Sequence, residues 1–302
     1  MNPIKISVIV PHRNAVRLVP TLFASIPVDP RIEIILVDNS PARITKDDII
    51  TKHDYTLLYS DPARGAGGAR NVGIENANGE WLIFADADDF FAEKAFSLFL
   101  AKTDSHADII YTGMGGVFLD TGEHSDRGDG YARLVKSYLV GEKTEKDLRL
   151  GFPSPCCKMI KSQFVKCIGV RFDEICAGND IYFSTVCGLL ANKIEAVDQV
   201  TYIATVSRGT LTQRRDFDVI KARLFSKLHC NEFLKKQGLP KRQHSVMFEL
   251  IYSLKFGIKE FCECIRMVID FNQNPFIGYK HWLKGVHIVA NTSKSNKKYI
   301  TQ

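Results

Sequence analysis

Short apolar runs rich in β-branched residues recur through the first part of the chain, and each is followed by a turn. The segments between them have helical character at residues 14–25, in the stretch that ends at Asn78 and at 92–102, and the later segment 193–207 could supply two short strands. Continuous apolar strands separated by helices predict an α/β fold, with a mostly parallel sheet that is covered by helices on both faces. The five runs are IKISVIV (4–10), IEIILVD (32–38), YTLLYS (55–60), EWLIFAD (80–86) and DIIYTG (108–113).

The carboxyl ends of these strands are the expected place for a ligand site, because parallel sheets bind ligands beyond that edge. The rule brings together four segments that are distant in sequence. They are Pro11–Arg13 after the first run, Asp38 at the end of the second, the Gly65 turn and Asp86–Asp88.

Composition bounds the class of protein. The chain has 302 residues, 45% of them hydrophobic and 25% charged, which fits one large α/β domain with an appendage or two domains. The N-terminal apolar run is too short for a signal peptide or a membrane span, and no later stretch is long enough, so we expect a cytoplasmic protein. All eight cysteines follow residue 150 without a CxxC pair, which indicates reduced thiols instead of a zinc or dithiol site.

An acidic cluster closes the fourth run, in WLIFADADDF (81–90). Asp86 and Asp88 are spaced so that both carboxylates can face one cation, and hard oxygen ligands suit Mg²⁺ or Mn²⁺. The alternative is that acidic residues cap the next helix, a role that fits Asp89 best.

A glycine-rich turn, SDPARGAGGARNVG (60–73), precedes a predicted helix whose first amides could bind an anion. It lacks the Gly-Lys-Ser/Thr of a P-loop, and Arg70 stands where a dinucleotide fingerprint needs its last glycine, which disfavours an NAD-dependent oxidoreductase. Arg70 and Asn71 could instead anchor the loop. Asp38 could likewise contact a base or ribose, or only close an Asx turn.

In this order and spacing, ISVIVPHRN, IILVDNS and GAGGARNVGIENANGEWLIFADADDFF resemble the family 2 glycosyltransferases, over roughly residues 4–215. The resemblance implies the GT-A fold, a Rossmann-like sheet with helices on both faces. It implies that Pro11, Arg13 and Asp38 hold the base of a nucleotide-sugar and that Arg70 lies near the base or diphosphate. Asp86 and Asp88 would then form the D-x-D site, with Asp88 as the direct ligand of Mn²⁺ or Mg²⁺.

The segment PCCKMIKSQFVKCIGVRFDEICAGNDIYFS resembles the acceptor side of that family, where a Glu-Asp pair opens a helix. Here the pair is Asn179-Asp180, so the first position departs from the family and the catalytic base, Asp180, is retained. The alternative role of Asp180 is an N-cap. Lys158, Asn179 and Arg208 are candidates for contacts with the acceptor or with phosphate, and Arg208 could equally be a solvated surface residue.

Residues 221–302 carry fifteen Lys/Arg and five Asp/Glu, against twenty-five and twenty-nine in the rest of the chain, so the C-terminal region is basic. This charge suggests an anionic partner and not nucleic acid binding by the whole protein. We expect a helical region that either contacts the inner face of the cell membrane or packs as a cap, alone or within a homodimer.

The resemblance, together with these patterns, implies an inverting, metal-dependent hexosyltransferase that uses a UDP-sugar and a glycan or lipid-linked acceptor in surface polysaccharide synthesis. The expected organisation is a nucleotide-sugar-binding half (1–115), an acceptor-binding and catalytic half (116–215) and a helical C-terminal region (216–302). The alternative is a GT-A-like module that binds a nucleotide-sugar or glycan without catalysis.

Overall fold

The computed structural model describes residues 3–206 and 216–277. The chain divides into two compact units, residues 1–214 and 215–302. The first unit is an eight-stranded mixed sheet with helices, and the second is helical.

The strands of the first unit follow the order β3-β2-β1-β4-β7-β6-β8-β5 across the sheet. Neighbours β1/β2, β1/β4, β2/β3 and β6/β8 are parallel, whereas β7 and β5 run antiparallel to their neighbours. The strands are β1 (Ile6–His12), β2 (Ile32–Asp38), β3 (Thr56–Tyr59), β4 (Trp81–Phe84), β5 (Phe90–Phe91), β6 (Ile109–Phe118), β7 (Lys158–Lys161) and β8 (Ile194–Val206).

The five apolar runs all form strands, and β1 is buried at each of its seven positions. Burial of every residue is what a central strand covered on both faces requires, because alternate side chains point to opposite faces. The helices of this unit are α1 (Val19–Ala24), α2 (Gly65–Asn76), α3 (Ala95–Ala101), α4 (Asp129–Leu139), α5 (Glu145–Leu150), α6 (Ser162–Ile168) and α7 (Asp180–Leu190).

Two local predictions were wrong. The helix expected from residue 14 begins only at Val19, because Asn14 adopts a positive φ of 53° and the Ala15 amide bonds the His12 side chain. Residues 193–207 were expected to give two short strands, but Ile194–Val206 is one strand, which pairs with β6 through two register shifts near Gly113. Since β6 spans residues 109–118, the two predicted halves of the domain share one continuous sheet.

The second unit contains α8 (Phe217–Lys236), α9 (Met247–Ser253) and α10 (Ile258–Asp270). The predicted helical character is therefore confirmed for residues 216–277. A partly buried ion pair joins Lys227 to Glu249 at 2.8 Å beside the apolar core. That core consists of Leu224, Leu228, Val246, Leu250, Cys264 and Val268.

None of the helices in the described parts of the chain is long and apolar enough to span a lipid bilayer. All eight cysteines are free thiols, as predicted, and five of them are buried.

Candidate active site

The carboxyl ends of β1 and β2 meet in a buried polar network centred on Asp38. The Ala15 amide donates to His12 Nε2 at 3.0 Å, so the ring proton is on Nδ1, which donates to Asp38 Oδ1 at 2.9 Å. The carboxylate also accepts from the amide and hydroxyl of Ser40 and from the Ile44 amide. Burial alone would raise the pKa of Asp38, but the bonds from Ser40, His12 and Ile44 outweigh it and lower the pKa.

These bonds form the turn that the sequence offered as an alternative role for Asp38, and the carboxylate is fully buried. Pro11 is also buried and faces Val37 across the sheet. Arg13 is exposed, and its guanidinium donates to the Pro62 carbonyl at 3.0 Å. Contact of these three residues with a nucleotide base stays a prediction.

Two buried polar atoms next to Asp38 have no hydrogen-bond partner among the described residues. They are the Asn39 side-chain nitrogen and the Ser60 hydroxyl. The Ser60 amide donates to the Asp38 carbonyl at 2.9 Å, and the Asn39 amide donates to His12 O at 2.9 Å, so both residues are fixed at this edge. Because buried polar groups are normally paired, this edge is suited to a polar ligand.

The glycine-rich segment serves close packing in this structure. Helix α2 begins at Gly65, and a Cβ placed on Gly67 would lie 2.0 Å from the Asp173 carbonyl oxygen. Asn71 fixes the same loop, since its side chain donates to Phe172 O at 3.0 Å and accepts from the Phe172 amide at 2.9 Å. The anchoring role considered for Asn71 is therefore present, and α2 lies directly against the loop that precedes Asp180.

Arg70 joins the loop that carries Asp86 to the residue that precedes Asp180. One Nη donates to Asp86 Oδ1 at 2.5 Å and the other to Asn179 Oδ1 at 2.7 Å. The side chain is 7% exposed, its guanidinium carbon lies 5.3 Å from the Phe172 ring centroid, and its Nε has no partner among the described residues. The predicted Arg70, Asp86 and Asn179 are thus brought together.

Asp89 does not cap the following helix, because α3 begins at Ala95 with Lys94 at its N-cap. Its buried carboxylate instead accepts from the Tyr202 hydroxyl at 2.8 Å and from the Thr205 amide at 2.7 Å. Burial, with the charges of Asp86 and Asp88, raises the pKa of Asp89 to about 8. Asp89 therefore ties the acidic loop to β8 and leaves Asp86 and Asp88 to face the site.

Asp88 lies half-buried beside a mostly apolar cavity of about 200 Å³ that is also lined by Leu18, Phe90 and Thr205. Burial is the main cause that raises the pKa of Asp88, Asp86 adds to it, and the charge of Arg127 opposes it. Arg127 donates to Thr205 O at 2.6 Å, and the Thr205 hydroxyl donates to Asp88 O at 2.8 Å.

Arg127 was not identified from the sequence, because it lies in an irregular glycine- and aspartate-rich segment. Gly116 in β6 allows that segment to approach, since a Cβ at this position would lie 2.2 Å from the Arg127 carbonyl oxygen. The run of glycines in β6 was the signal that could have revealed this close approach.

The carboxylates of Asp86 and Asp88 fit a divalent cation in donor chemistry, because Mg²⁺ and Mn²⁺ prefer hard oxygen ligands. The Asp86 side chain is 35% exposed, so Arg70 does not enclose it. Among the described residues no group of three or more His, Cys, Asp or Glu side chains could hold a metal ion. A metal here would need ligand or water oxygens to complete its coordination.

Asp180 is the first residue of α7, and Asn179 is its N-cap residue, although the Asn179 side chain binds Arg70 and makes no capping bond. The N-cap alternative for Asp180 therefore does not hold. Burial raises the pKa of Asp180, Arg70 and Lys158 lower it, and Asp86 raises it further. A carboxylate with a raised pKa is a stronger base at neutral pH.

Lys158 is buried inside the domain, not presented to solvent. Its ammonium donates to the Phe152 carbonyl at 2.6 Å and lies 4.7 Å and 5.3 Å from the ring centroids of Phe152 and Tyr111. Burial lowers the pKa of Lys158 to about 8. Direct contact with an acceptor would require this side chain to leave its aromatic surroundings. Arg208 lies outside the described residues.

Tyr131, from the first turn of α4, is a second residue that the sequence did not reveal. Its half-buried ring packs 4.5 Å from that of Phe152, and burial followed by the charge of Asp180 raises its pKa. An aromatic ring near the proposed base offers a surface on which a sugar ring can pack.

Comparison with known proteins agrees with this arrangement. The sequence profile described as "Glycosyl transferase family 2" matches residues 7–169. Poly(ribitol-phosphate) β-N-acetylglucosaminyltransferase TarS of Staphylococcus aureus is 25% identical over 217 residues, which cover 68% of this chain and 36% of TarS. An uncharacterised glycosyltransferase of Haemophilus influenzae is 33% identical over 92 residues, 28% of this chain and 30% of that protein. The chain thus matches only about a third of the length of these relatives.

Two solved structures share the fold. S. aureus TarS 1–349 in complex with UDP-GlcNAc gives a TM-score of 0.61 at 22% identity, covering 88% of this chain and 80% of that one. The mannosyltransferase PcManGT of Pyrobaculum calidifontis, in complex with GDP-Man and Mn²⁺, gives 0.54 at 13% identity, covering 96% and 81%. The predicted GT-A-like fold is confirmed. With the family profile matching more than half of its length, the chain belongs to glycosyl transferase family 2.

Proposed function

We propose that the chain is an inverting glycosyltransferase that moves a hexose or N-acetylhexosamine from a nucleotide-sugar to a glycan or lipid-linked acceptor. The observation that carries the proposal is the fork of Arg70, which binds both Asp86 of the acidic loop and Asn179 beside Asp180. These bonds hold Arg70, the proposed diphosphate-binding group, next to Asp180, the candidate base, at one edge of the sheet.

The donor is proposed to be a UDP-sugar. The relative solved with UDP-GlcNAc supports a uracil nucleotide, and the unpartnered Asn39 and Ser60 atoms offer polar contacts beside Asp38. The name of TarS, a poly(ribitol-phosphate) β-N-acetylglucosaminyltransferase, supports a polymeric acceptor.

A divalent cation, Mn²⁺ or Mg²⁺, would be held by Asp88 and Asp86 and would offset negative charge on the diphosphate. Arg70 and Arg127 add positive charge at the same edge, which stabilises the leaving group as its bond to the sugar breaks. The solved neighbour with Mn²⁺ supports this use of a metal.

Asp180 is proposed to take the proton from an acceptor hydroxyl. The hydroxyl oxygen bonds to the anomeric carbon as the bond to the diphosphate oxygen breaks on the opposite face, which inverts the configuration and releases the nucleoside diphosphate. General-base assistance of this kind contributes about 10²–10⁴-fold to the rate.

The alternative is a nucleotide-sugar or glycan-binding module without transferase activity. Asn179 favours it, because the family pair at this position begins with a glutamate. In this structure, however, Asn179 accepts the Arg70 bond through its carbonyl oxygen, which is a role that needs no charge. The alternative predicts nucleotide binding without turnover.

Nucleotide binding can be tested by thermal unfolding with UDP, GDP, CMP, dTDP or NAD, each with and without Mn²⁺. Binding to the folded state alone contributes about 2.7 kcal/mol at a hundredfold excess over Kd, or about 5–10 °C for a domain of this size. We expect a metal-dependent shift with UDP that Asp88→Ala abolishes. Asp104→Ala, which removes an exposed carboxylate elsewhere, should retain it. No shift with any nucleotide would contradict the proposal.

A further inference from the structure

Helix α9 carries large apolar side chains on both its faces. Its inward side contributes Leu250 to the core of the C-terminal unit, next to Val246. Its outward side and the turn into α10 carry large apolar side chains that are 37–72% exposed. We call them the α9–α10 surface: Phe248, Ile251, Leu254, Phe256 and Ile258.

Aromatic contacts hold this surface in a fixed shape. The Phe248 and Tyr252 rings lie 5.4 Å apart, one helical turn from each other, and Tyr252 lies 6.0 Å from Phe256. Phe256 in turn contacts Phe217 of α8 at 5.7 Å. The apolar side chains are thus presented from a packed helical unit, so little conformational freedom is lost when something covers them.

The charges at the edge of this surface are positive. Lys255 Nζ lies 4.4 Å from the centroid of the Tyr252 ring, and Lys259 is exposed one residue beyond Ile258. Glu260 is the single carboxylate between residues 250 and 262, and its side chain folds back towards Gly257 at the start of α10. The surface therefore combines exposed aromatic and aliphatic groups with a cationic edge.

We propose that the α9–α10 surface docks on an anionic lipid bilayer, with its apolar side chains in the headgroup region and its lysines at the lipid phosphates. Large apolar side chains framed by lysines are the composition that partitions into a membrane interface. Self-association through the same surface is disfavoured because it would bring Lys255 and Lys259 close to those of a second copy. The inference does not depend on the proposed reaction.

The test is flotation of the full-length chain with phosphatidylcholine vesicles, with and without about a third of phosphatidylglycerol. We expect binding to the anionic vesicles. The double variant Ile251→Ser, Leu254→Ser should lower the partition coefficient at least about tenfold. The control Ile50→Ser removes an isoleucine that is 89% exposed in the first unit and should leave it unchanged.

The charge contribution is measured with Lys255→Gln and Lys259→Gln, each expected to weaken binding to anionic vesicles about fivefold. Unchanged midpoints of thermal unfolding in all variants establish that they remain folded.

Three outcomes would overturn the proposal. The first is unchanged flotation of the Ile251→Ser, Leu254→Ser variant. The second is binding that survives this variant but is lost when Lys294, Lys297 and Lys298 are changed to Gln, which assigns the contact to the C-terminal tail. The third is absence of vesicle binding together with a dimer, in sedimentation, that the double variant dissociates, which assigns the surface to a second copy.

Discussion

Replacement of Arg70 perturbs both sides of the proposed site at once. Arg70→Met keeps an unbranched apolar stem beside Phe172 but removes both donors, whereas Arg70→Lys keeps the charge and can satisfy only one of the two acceptors. Comparison of the two variants separates the effect of charge from the effect of the forked geometry.

The expected loss of stability follows from the two bonds. Asn179 is buried, so loss of a charged donor to its carbonyl costs about 1.5–3 kcal/mol. Asp86 is partly solvated, which limits the contribution of that ion pair to about 1 kcal/mol. We expect Arg70→Met to lower the free energy of unfolding by about 2–4 kcal/mol and Arg70→Lys by about half of that.

The pH dependence provides an independent readout. Asp180 must be deprotonated to act as a base, so turnover falls as the pH falls through its pKa. Because the charge of Arg70 lowers the pKa of Asp180, Arg70→Met should move this acid limb to higher pH, and Arg70→Lys should leave it in place.

The free energy of unfolding and the acid limb of the pH profile can be measured in the same parent protein. Trp81 is fully buried in β4, so its fluorescence reports unfolding of the first unit in a Trp282→Phe chain, which retains no other tryptophan. The acid limb is followed as release of nucleoside diphosphate from a UDP-sugar. An Arg70→Met protein within about 0.5 kcal/mol of the parent, with an unmoved acid limb, would refute the role given to the fork.

Two further predictions concern packing and acid stability. Gly67→Ala should cost about 1–3 kcal/mol or more because its Cβ would collide with the Asp173 carbonyl, whereas Gly130→Ala, with open space around it in α4, should stabilise by about 0.5–1 kcal/mol. Equal denaturation midpoints for the two would contradict this. Burial, aided by Lys227, lowers the pKa of His244 from 6.5 to about 4. Neutral His244 therefore contributes up to about 3 kcal/mol to the free energy of unfolding above pH 6.5. This contribution is lost as the pH falls towards 4. Urea unfolding of His244→Gln should show a smaller loss between pH 7 and 4.5 than the parent, and an identical loss would exclude this cause.

The part of the fold that the sequence predicts well is the part made by continuous apolar runs. All five runs form strands, and four of them, β1, β2, β4 and β6, are buried at most positions, which leaves a local apolar pattern. Strand β3, at the edge of the sheet, is exposed or half-buried at its four positions. Strand β7, with the sequence Lys-Met-Ile-Lys, is short and flanked by lysines, so only its pairing between β4 and β6 defines it. The late start of α1 likewise depends on the bond from Ala15 to His12, which no periodicity reveals.

The residues of the site also divide into those that the sequence identified and those that only tertiary packing reveals. Asp86, Asp88 and Asp180 follow strands or open a helix, and their order along the chain identified them. The structure adds the bonds by which Arg70 joins Asp86 to Asn179, the residue before Asp180. Asp89 was misassigned because its partners, on β8, are more than a hundred residues away. Arg127 and Tyr131 come from a segment without periodicity, and only tertiary packing brings them to the site.

The most direct test of the account is turnover in Asp180→Asn, followed as nucleoside diphosphate release from a UDP-sugar in the presence of Mn²⁺ and a glycan acceptor. The substitution is isosteric and removes the negative charge together with the ability to accept a proton. The account predicts a loss of about 10²–10⁴-fold in kcat with an unchanged Kd for the donor. Turnover close to that of the parent would contradict the assignment of Asp180 as the base.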